Sequence, residues 1–265
     1  MKILFIGDIV GRPGREIVKK ALPGIIKENK IDLVIANPEN AAHGRGVNEN
    51  ILNELMEGGV DAFSGGDHSF DEKHQLEEVY GGKYPILRPA NFSKNAPGDG
   101  YVVINKGKSR VLFISLIGRV FMKMDYDCPF HKLDEILANF AKQKFSAIIL
   151  DIHAEATSEK IAMFRYANSR VSAVLGSHTH VMTADEQVSK EGTAYISDVG
   201  MSGYSDGCIG IECEGVIETF LSQMRSSHEI PDSGKAMMNA VLVEIDSKSG
   251  KAKKIKRINK NLTIK

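Results

Sequence analysis

Short apolar runs alternate with longer segments whose apolar residues recur at helical spacing, and this alternation limits the fold more than any other feature. Lys2–Gly7 reads as a buried strand, Arg15–Glu28 as a helix with Ile17, Val18, Ala21 and Ile25 on one face, and Asp32–Ala36 as a second strand. A helix over Glu49–Glu57 and a third strand over Asp61–Ser64 follow. Strands separated by helices imply parallel β-α-β units with right-handed crossovers.

The middle of the chain changes character. Tyr101–Asn105 and Ser109–Leu116 are β-rich runs joined by KGKS, the pattern of a hairpin. A helix over Leu133–Lys142, a strand over Ala147–Leu150 and a helix over Glu159–Ala167 come next. Strands are expected at Val171–Leu175 and Thr193–Ile196, with a final pair near Ala240–Glu244 and Lys253–Ile258. No repeat or Pro/Gly/Ser linker divides the chain, so residues 1–265 read as a single α/β domain with two mixed sheets packed together.

Composition removes several classes of function. Lys+Arg and Asp+Glu are equal at 34 each, without the basic excess that phosphate neutralisation demands of a strong nucleic-acid binder. Eight Lys/Arg do gather from Lys248 onward, but aromatic residues for base stacking are missing there. A solvated edge strand, kept from pairing by its lysines, accounts for them. No apolar run approaches the roughly 20 residues of a membrane span. MKILFIGD is broken by Asp8 and reads as a first strand, not a signal peptide. With three cysteines and no zinc-ribbon spacing, a reduced, cytoplasmic setting is expected.

The chemistry lies at the strand ends. Asp8 follows the first strand, Glu39 and Asn40 (in NPEN) the second, and Asp67 and His68 (in GGDHSFD) the third. Asp151 and His153 follow AIIL, and His178 and His180 follow VSAVL. In parallel α/β sheets the carboxyl ends of the strands line one crevice, where ligands bind. Five strand ends therefore aim metal-competent side chains at one place. His178 and His180, two apart, would share one side of an extended segment. Such a mixed nitrogen and oxygen set suits Mn²⁺, Fe or Zn²⁺ better than Mg²⁺ alone. It holds too many ligands for one ion and fits two that share a carboxylate.

Other readings find less support. The glycines of GDIVGRPGR are spaced G-x3-G-x2-G with Asp8 in the turn, so the dinucleotide pattern G-x-G-x-x-G fails. There is no G-x-S-x-G, so a serine hydrolase of that kind has no machinery. His43, His74, His131 and His228 are expected at the surface.

These motifs resemble the calcineurin-like metallophosphoesterases. More narrowly, GDIVGRPGR, NPENAAHGRG, GDHSFD, RPANF, HAEATSEK, GSHTHVMTAD and AYISDVGMSG are similar to the bacterial YmdB-type phosphodiesterases over nearly the whole chain. The resemblance implies a four-layer α/β/β/α metallophosphoesterase sandwich. It also implies two divalent ions and hydrolysis of phosphodiesters such as 2′,3′-cyclic nucleotides, with 3′,5′-cyclic AMP and RNA as further substrates, by attack of a metal-bridging hydroxide. By position, Asp8, Glu39, Asn40 and His180 would hold one ion, with Glu39 bridging to a second held by Asp67, His153 and His178. His68 would protonate the leaving group, Arg12 and Arg15 are candidates for a phosphate contact, and a homo-oligomer is expected.

Two departures from the wider superfamily matter. Val10 stands where its first motif has a histidine, and Asn40 is the substitute. Asp67 replaces the asparagine of its GNH motif, which adds negative charge at the second ion and reduces the Lewis acidity left for substrate. That change gives substance to a rival reading, a weakly active cyclic-nucleotide or RNA-binding regulator that keeps the metal site.

Overall fold

The computed structural model describes all 265 residues, Met1–Lys265. Two mixed sheets lie face to face with helices on both outer surfaces. The first sheet holds β1 (Lys2–Ile6), β2 (Asp8–Ile9), β3 (Leu33–Ala36) and β4 (Ala62–Phe63). The second is formed by β5 (Tyr101–Lys106), β6 (Ser109–Ile117), β7 (Ala147–His153), β8 (Ala173–Ser177), β9 (Gln187–Val188) and β10 (Ala194–Ile196), in the order β5-β6-β7-β8-β10-β9. The chain then returns to the first sheet with β11 (Met201–Tyr204), β12 (Gly234–Asp246) and β13 (Lys251–Ile264).

Alternation along the strands builds the layers. In β1, Ile3 and Phe5 face the second sheet, while Leu4 and Ile6 face the helices. Those helices are α1 (Gly11–Asn29), α2 (Glu49–Glu57) and the short α3 (Leu76–Tyr80). In β6 and β7, Val111, Phe113, Ala147 and Ile149 point inward. Leu112, Ile114, Leu150 and Ile152 pack outward with residues of α4 (Pro129–Asn139) and α5 (Thr157–Ala167). Strands apolar on both faces are what parallel strands buried between layers require. The expected α/β/β/α sandwich is the observed one, and no helix is long and apolar enough to cross a membrane.

β12 is the spine of the first sheet. It pairs with β1 over Ala240–Glu244 and with β11 over Ala236–Met238, and β13 runs along it from end to end. β13 pairs with no other strand, so the lysine-rich terminus is the edge strand anticipated for it.

Several boundaries differ from the sequence reading. α1 starts at Gly11 and not at Arg15: Pro13 falls in the first turn, where a missing N–H costs nothing, and Gly11 takes φ +56°. α4 starts four residues early, with Pro129 at its first position, and ends at Asn139. β8 begins at Ala173, not Val171, and continues to Ser177. α6 (Cys213–Ser222), α3, β9 and β11 were not anticipated, and α6 buries none of its side chains, so it has no core-facing stripe. Wholly reduced cysteines are not observed: the tight turn at Cys208–Ile211 brings Cys208 to Cys213, which pair as a disulfide, and Cys128 stays free.

One buried ion pair links the layers beneath the strand ends. Lys160 on α5 donates to Asp198 Oδ2 at 2.7 Å, with both side chains at most 2 % exposed. The same oxygen accepts from the Thr179 amide (3.0 Å) and hydroxyl (2.7 Å), which pins the loop between His178 and His180. Removing one partner of such a pair strands a buried charge. Lys160→Met is therefore expected to lower unfolding stability by about 3–5 kcal/mol in urea denaturation, and adding Asp198→Asn to recover a large part. A loss below about 1 kcal/mol would contradict the pair's role.

Candidate metal centre

The parallel strands of both sheets end side by side, and their last residues meet in the space between. β1 passes through Gly7 into Asp8, β3 leads to Glu39 and Asn40, and β4 to Asp67 and His68. From the second sheet, β7 ends in His153 and β8 leads to His178 and His180. Asp8, Glu39 and His153 are almost fully buried.

His153 is the centre of the arrangement. Its Nε2 lies 2.9 Å from Glu39 Oε1, 3.1 Å from Asp67 Oδ1 and 3.0 Å from His178 Nδ1. Asp67 Oδ1 is in turn 3.4 Å from His178 Nδ1. Gly66 makes room for the ring, since a Cβ there would meet the His153 imidazole at 2.3 Å. Three ligand atoms thus crowd one ring nitrogen, although that nitrogen can hold one proton and serve one neighbour well. Ligands about 2.0–2.2 Å from a cation at right angles stand about 3 Å apart, so the separations within Asp67, His153 and His178 fit an ion between them. A second group, Asp8, Glu39 and His153, also brings its ligand atoms within 4.8 Å of one another. Asp8 Oδ1 and Glu39 Oε1 are buried without a hydrogen-bond partner, a costly state for a carboxylate unless a cation serves it.

Each histidine has one ring nitrogen occupied by the protein. Ser177 donates its hydroxyl to Asp151 Oδ1 at 2.8 Å, so its oxygen accepts from His153 Nδ1 at 3.0 Å. Glu155 Oε2 lies 3.2 Å from His178 Nε2. The Ile209 carbonyl accepts from His180 Nδ1 at 3.0 Å, and His180 Nε2 lies 3.5 Å from the Asn40 amide. Fixing one nitrogen this way sets the tautomer and turns the other lone pair inward, as metal-binding histidines require.

The electrostatics ask for positive charge. Burial alone would lower the pKa of His153, but Glu39, Asp67 and Asp8 outweigh it and hold the ring well above its ordinary value. Burial likewise opposes ionisation of Asp67, yet hydrogen bonds with His153 and His178 keep it far below the usual carboxylate range. For Asp8 burial wins and raises the pKa, although His180 and His153 act against it. Asp151, behind His153, is pushed up to about 7 by burial.

The structure also corrects the geometry of the HxH segment. His178 and His180 have φ of +102° and +63°, so they occupy a turn held by Asp198 and not an extended run. Neither arginine joins the cluster. Exposed Arg12 donates to the Asp232 carbonyl at 3.2 Å, and Arg15 binds Glu54 and the Ala41 carbonyl, tying α1 to α2. His68 lies at the rim: its amide donates to Glu39 Oε2 (3.1 Å), its Nδ1 meets Asp71 Oδ2 at 2.8 Å, and its Nε2 is 3.7 Å from Asp67 Oδ2. His43 is exposed, as expected.

Sequence reasoning passed over Ser177, Glu155 and the part played by Asp151, which act behind the ligands and carry no spacing of their own. It also passed over Tyr126, whose hydroxyl is pushed up to about 12 by burial and by the charges of Asp67, Glu39 and Asp71. Tyr126 and Asp67 line one cavity of about 1100 Å³ beside the cluster.

Comparison with known proteins places this arrangement in a family. A family model described as YmdB-like protein matches residues 4–258. The 2′,3′-cyclic-nucleotide 2′-phosphodiesterase of Bacillus subtilis (strain 168) is 42 % identical over 258 residues, 97 % of this chain and 96 % of the relative. A hypothetical protein from Thermus thermophilus superposes with a TM-score of 0.91 at 37 % identity, covering 98 % of this chain and 99 % of that one. A novel phosphatase from Mycoplasma pneumoniae gives 0.91 at 32 % identity, covering 100 % and 94 %. A match running almost from end to end, shared with named phosphoesterases, makes this chain a phosphoesterase of the YmdB-like family, built on a metallophosphoesterase sandwich.

Proposed function

We propose that the chain is a metal-dependent phosphodiesterase that opens 2′,3′-cyclic nucleotides, with two divalent ions at the meeting point of the sheets. The observation that carries this reading is the approach of Glu39 Oε1, Asp67 Oδ1 and His178 Nδ1 to within 2.9–3.1 Å of His153 Nε2, beside orphaned carboxylate oxygens of Asp8 and Glu39. The activity for which the Bacillus relative is named supports the substrate class. Asp8, Glu39, Asn40 and His180 would hold one ion and Asp67, His153 and His178 the other, with Glu39 shared. Their donor set of imidazole and carboxylate suits Mn²⁺ or Fe. When bound, such ions supply an activated water nucleophile and neutralise charge on the phosphoryl oxygens.

The protein's own groups then orient and protonate. His68 stands at the rim with Nδ1 held by Asp71, so its Nε2 is the atom placed to give a proton to the departing ribose oxygen. The protonated Tyr126 hydroxyl is a donor for a non-bridging phosphoryl oxygen. Asp151 and Ser177 hold the His153 ring in register and do not meet substrate.

Two outcomes test these roles. His68→Ala should lower kcat roughly 10²–10⁴-fold on a linear phosphodiester, which needs help with its leaving group, and much less on the strained 2′,3′-cyclic ester. Equal losses on the two esters would remove His68 from the acid's position. Ser177→Ala should weaken Mn²⁺ binding about 10–100-fold in a metal titration, with kcat largely recovered at saturating Mn²⁺. An unchanged titration would show that Ser177 does not position His153.

A further inference from the structure

The cavity beside the cluster is larger than one cyclic nucleotide needs. Its volume of about 1100 Å³ exceeds the roughly 300–1,000 Å³ usual for a small-molecule pocket. Two features of its lining go beyond the chemistry described above, in which only the Tyr126 hydroxyl takes part. Phe92 and Tyr126 lie stacked, ring centroids 4.9 Å apart and planes within 5°, and both face the cavity. Arg88 also lines it, although it is only 9 % exposed.

Arg88 is underused by the protein. Its Nη1 donates to the Pro89 carbonyl at 2.8 Å, while its buried Nε has no partner. Nη2 makes no hydrogen bond within the chain, and no carboxylate forms an ion pair with the guanidinium. A buried guanidinium is normally matched by an acceptor pair of carboxylate or phosphate geometry. Acidic and basic residues around the cavity almost balance, six against five, so it lacks the field of an extended polyanion groove. Such a surface selects one discrete anion, not a long strand.

The substrate's own chemistry says where that anion comes from. A nucleoside carrying a 2′,3′-cyclic phosphate has both of those hydroxyls engaged, so any continuation of the molecule leaves from its 5′ oxygen through a phosphate. We propose that Arg88 and the Phe92–Tyr126 stack form a second-nucleotide subsite, taking the phosphodiester and base on the 5′ side of the cyclic ester. The preferred substrate is then the cyclic-phosphate end of a short oligoribonucleotide and not a free mononucleotide. Arg88 receives the phosphate through its free Nη2, and the half-buried aromatic pair receives the base, whatever its identity, because every base has a stacking face. This inference rests on the phosphodiesterase reading above.

The test is calorimetric titration of the Mn²⁺-loaded protein with three product-like probes: adenosine 3′-phosphate, adenosine 3′,5′-bisphosphate and the dinucleotide ApA bearing a 3′-phosphate. The expected order is dinucleotide tightest, by roughly ten-fold over the bisphosphate, which in turn exceeds the monophosphate. Arg88→Gln should erase the bisphosphate's advantage over the monophosphate, and Phe92→Leu the dinucleotide's advantage over the bisphosphate. Phe92→Leu leaves Arg88 and its Pro89 contact untouched, so it carries the test if Arg88→Gln melts early. Equal affinity for all three probes overturns the subsite, and equal affinity for dinucleotide and bisphosphate overturns the base-stacking half. Hydrolysis of 2′,3′-cyclic AMP by the same preparation is a separate readout: its absence, with the affinity order intact, sinks the phosphodiesterase reading and leaves the subsite standing.

Discussion

Everything at the working end of this protein depends on three carboxylates, Asp8, Glu39 and Asp67, gathered around one fully buried imidazole. Taking an ionised carboxylate out of water costs several kcal/mol, and neighbouring like charges add to it. Asp8 and Glu39 each keep an oxygen that no protein donor satisfies, while His153 is drawn toward its charged form by the acids around it. A fold that places such groups together is stabilised by any proton or cation that neutralises them. The cluster is therefore a candidate cation site, with the raised pKa values of Asp8 and His153 as the protein's own partial relief of the same charge.

The two-sheet construction is what allows the gathering. Asp8, Glu39 and Asp67 come from the first sheet and the histidines from the second, so the 2.9 Å approach of Glu39 to His153 spans the interface between layers. The apolar packing of Ile3, Phe5 and Ile35 against Phe113, Ile149 and Leu175 sets the distance at which that approach occurs. The outer contacts then fix orientation. Lys160 and Asp198 hold the turn bearing His178 and His180, and Asp151 holds His153 through Ser177. Several motif residues that look chemically idle, Lys160 in HAEATSEK and Asp198 in AYISDVGMSG, thus have structural work in aiming the ligands.

The layers and the strand-end cluster were legible because their cause is local. Continuous apolar runs of about four to six residues, too short for a helix, read as strands buried on both faces, and a polar side chain directly after one sits at the edge of the core. The supporting shell was not legible, since Ser177 and Glu155 matter only through partners brought close by the fold. The extended reading of His178 and His180 failed for a related reason: a hydrogen-bonded turn and two left-handed residues override the period-two pattern when a buried aspartate organises the backbone. Arg12 and Arg15 looked like phosphate contacts from their place beside Asp8, but an earlier helix start turns Arg15 to Glu54 and Arg12 to the Asp232 carbonyl. The α6 segment escaped notice because its apolar side chains face outward, as Phe220 and Leu221 do at 80 % and 83 % exposure.

The central claim is that these side chains act by holding metal at the junction of the sheets. Hydrolysis of 2′,3′-cyclic AMP by metal-stripped protein, measured with and without added Mn²⁺ and beside His178→Ala, tests it most directly. The account predicts turnover that appears only with the ion and is lost in the variant. Turnover in the stripped protein, or a variant as active as the parent, would contradict it; so would an ion-loaded protein that binds the nucleotide and never opens it.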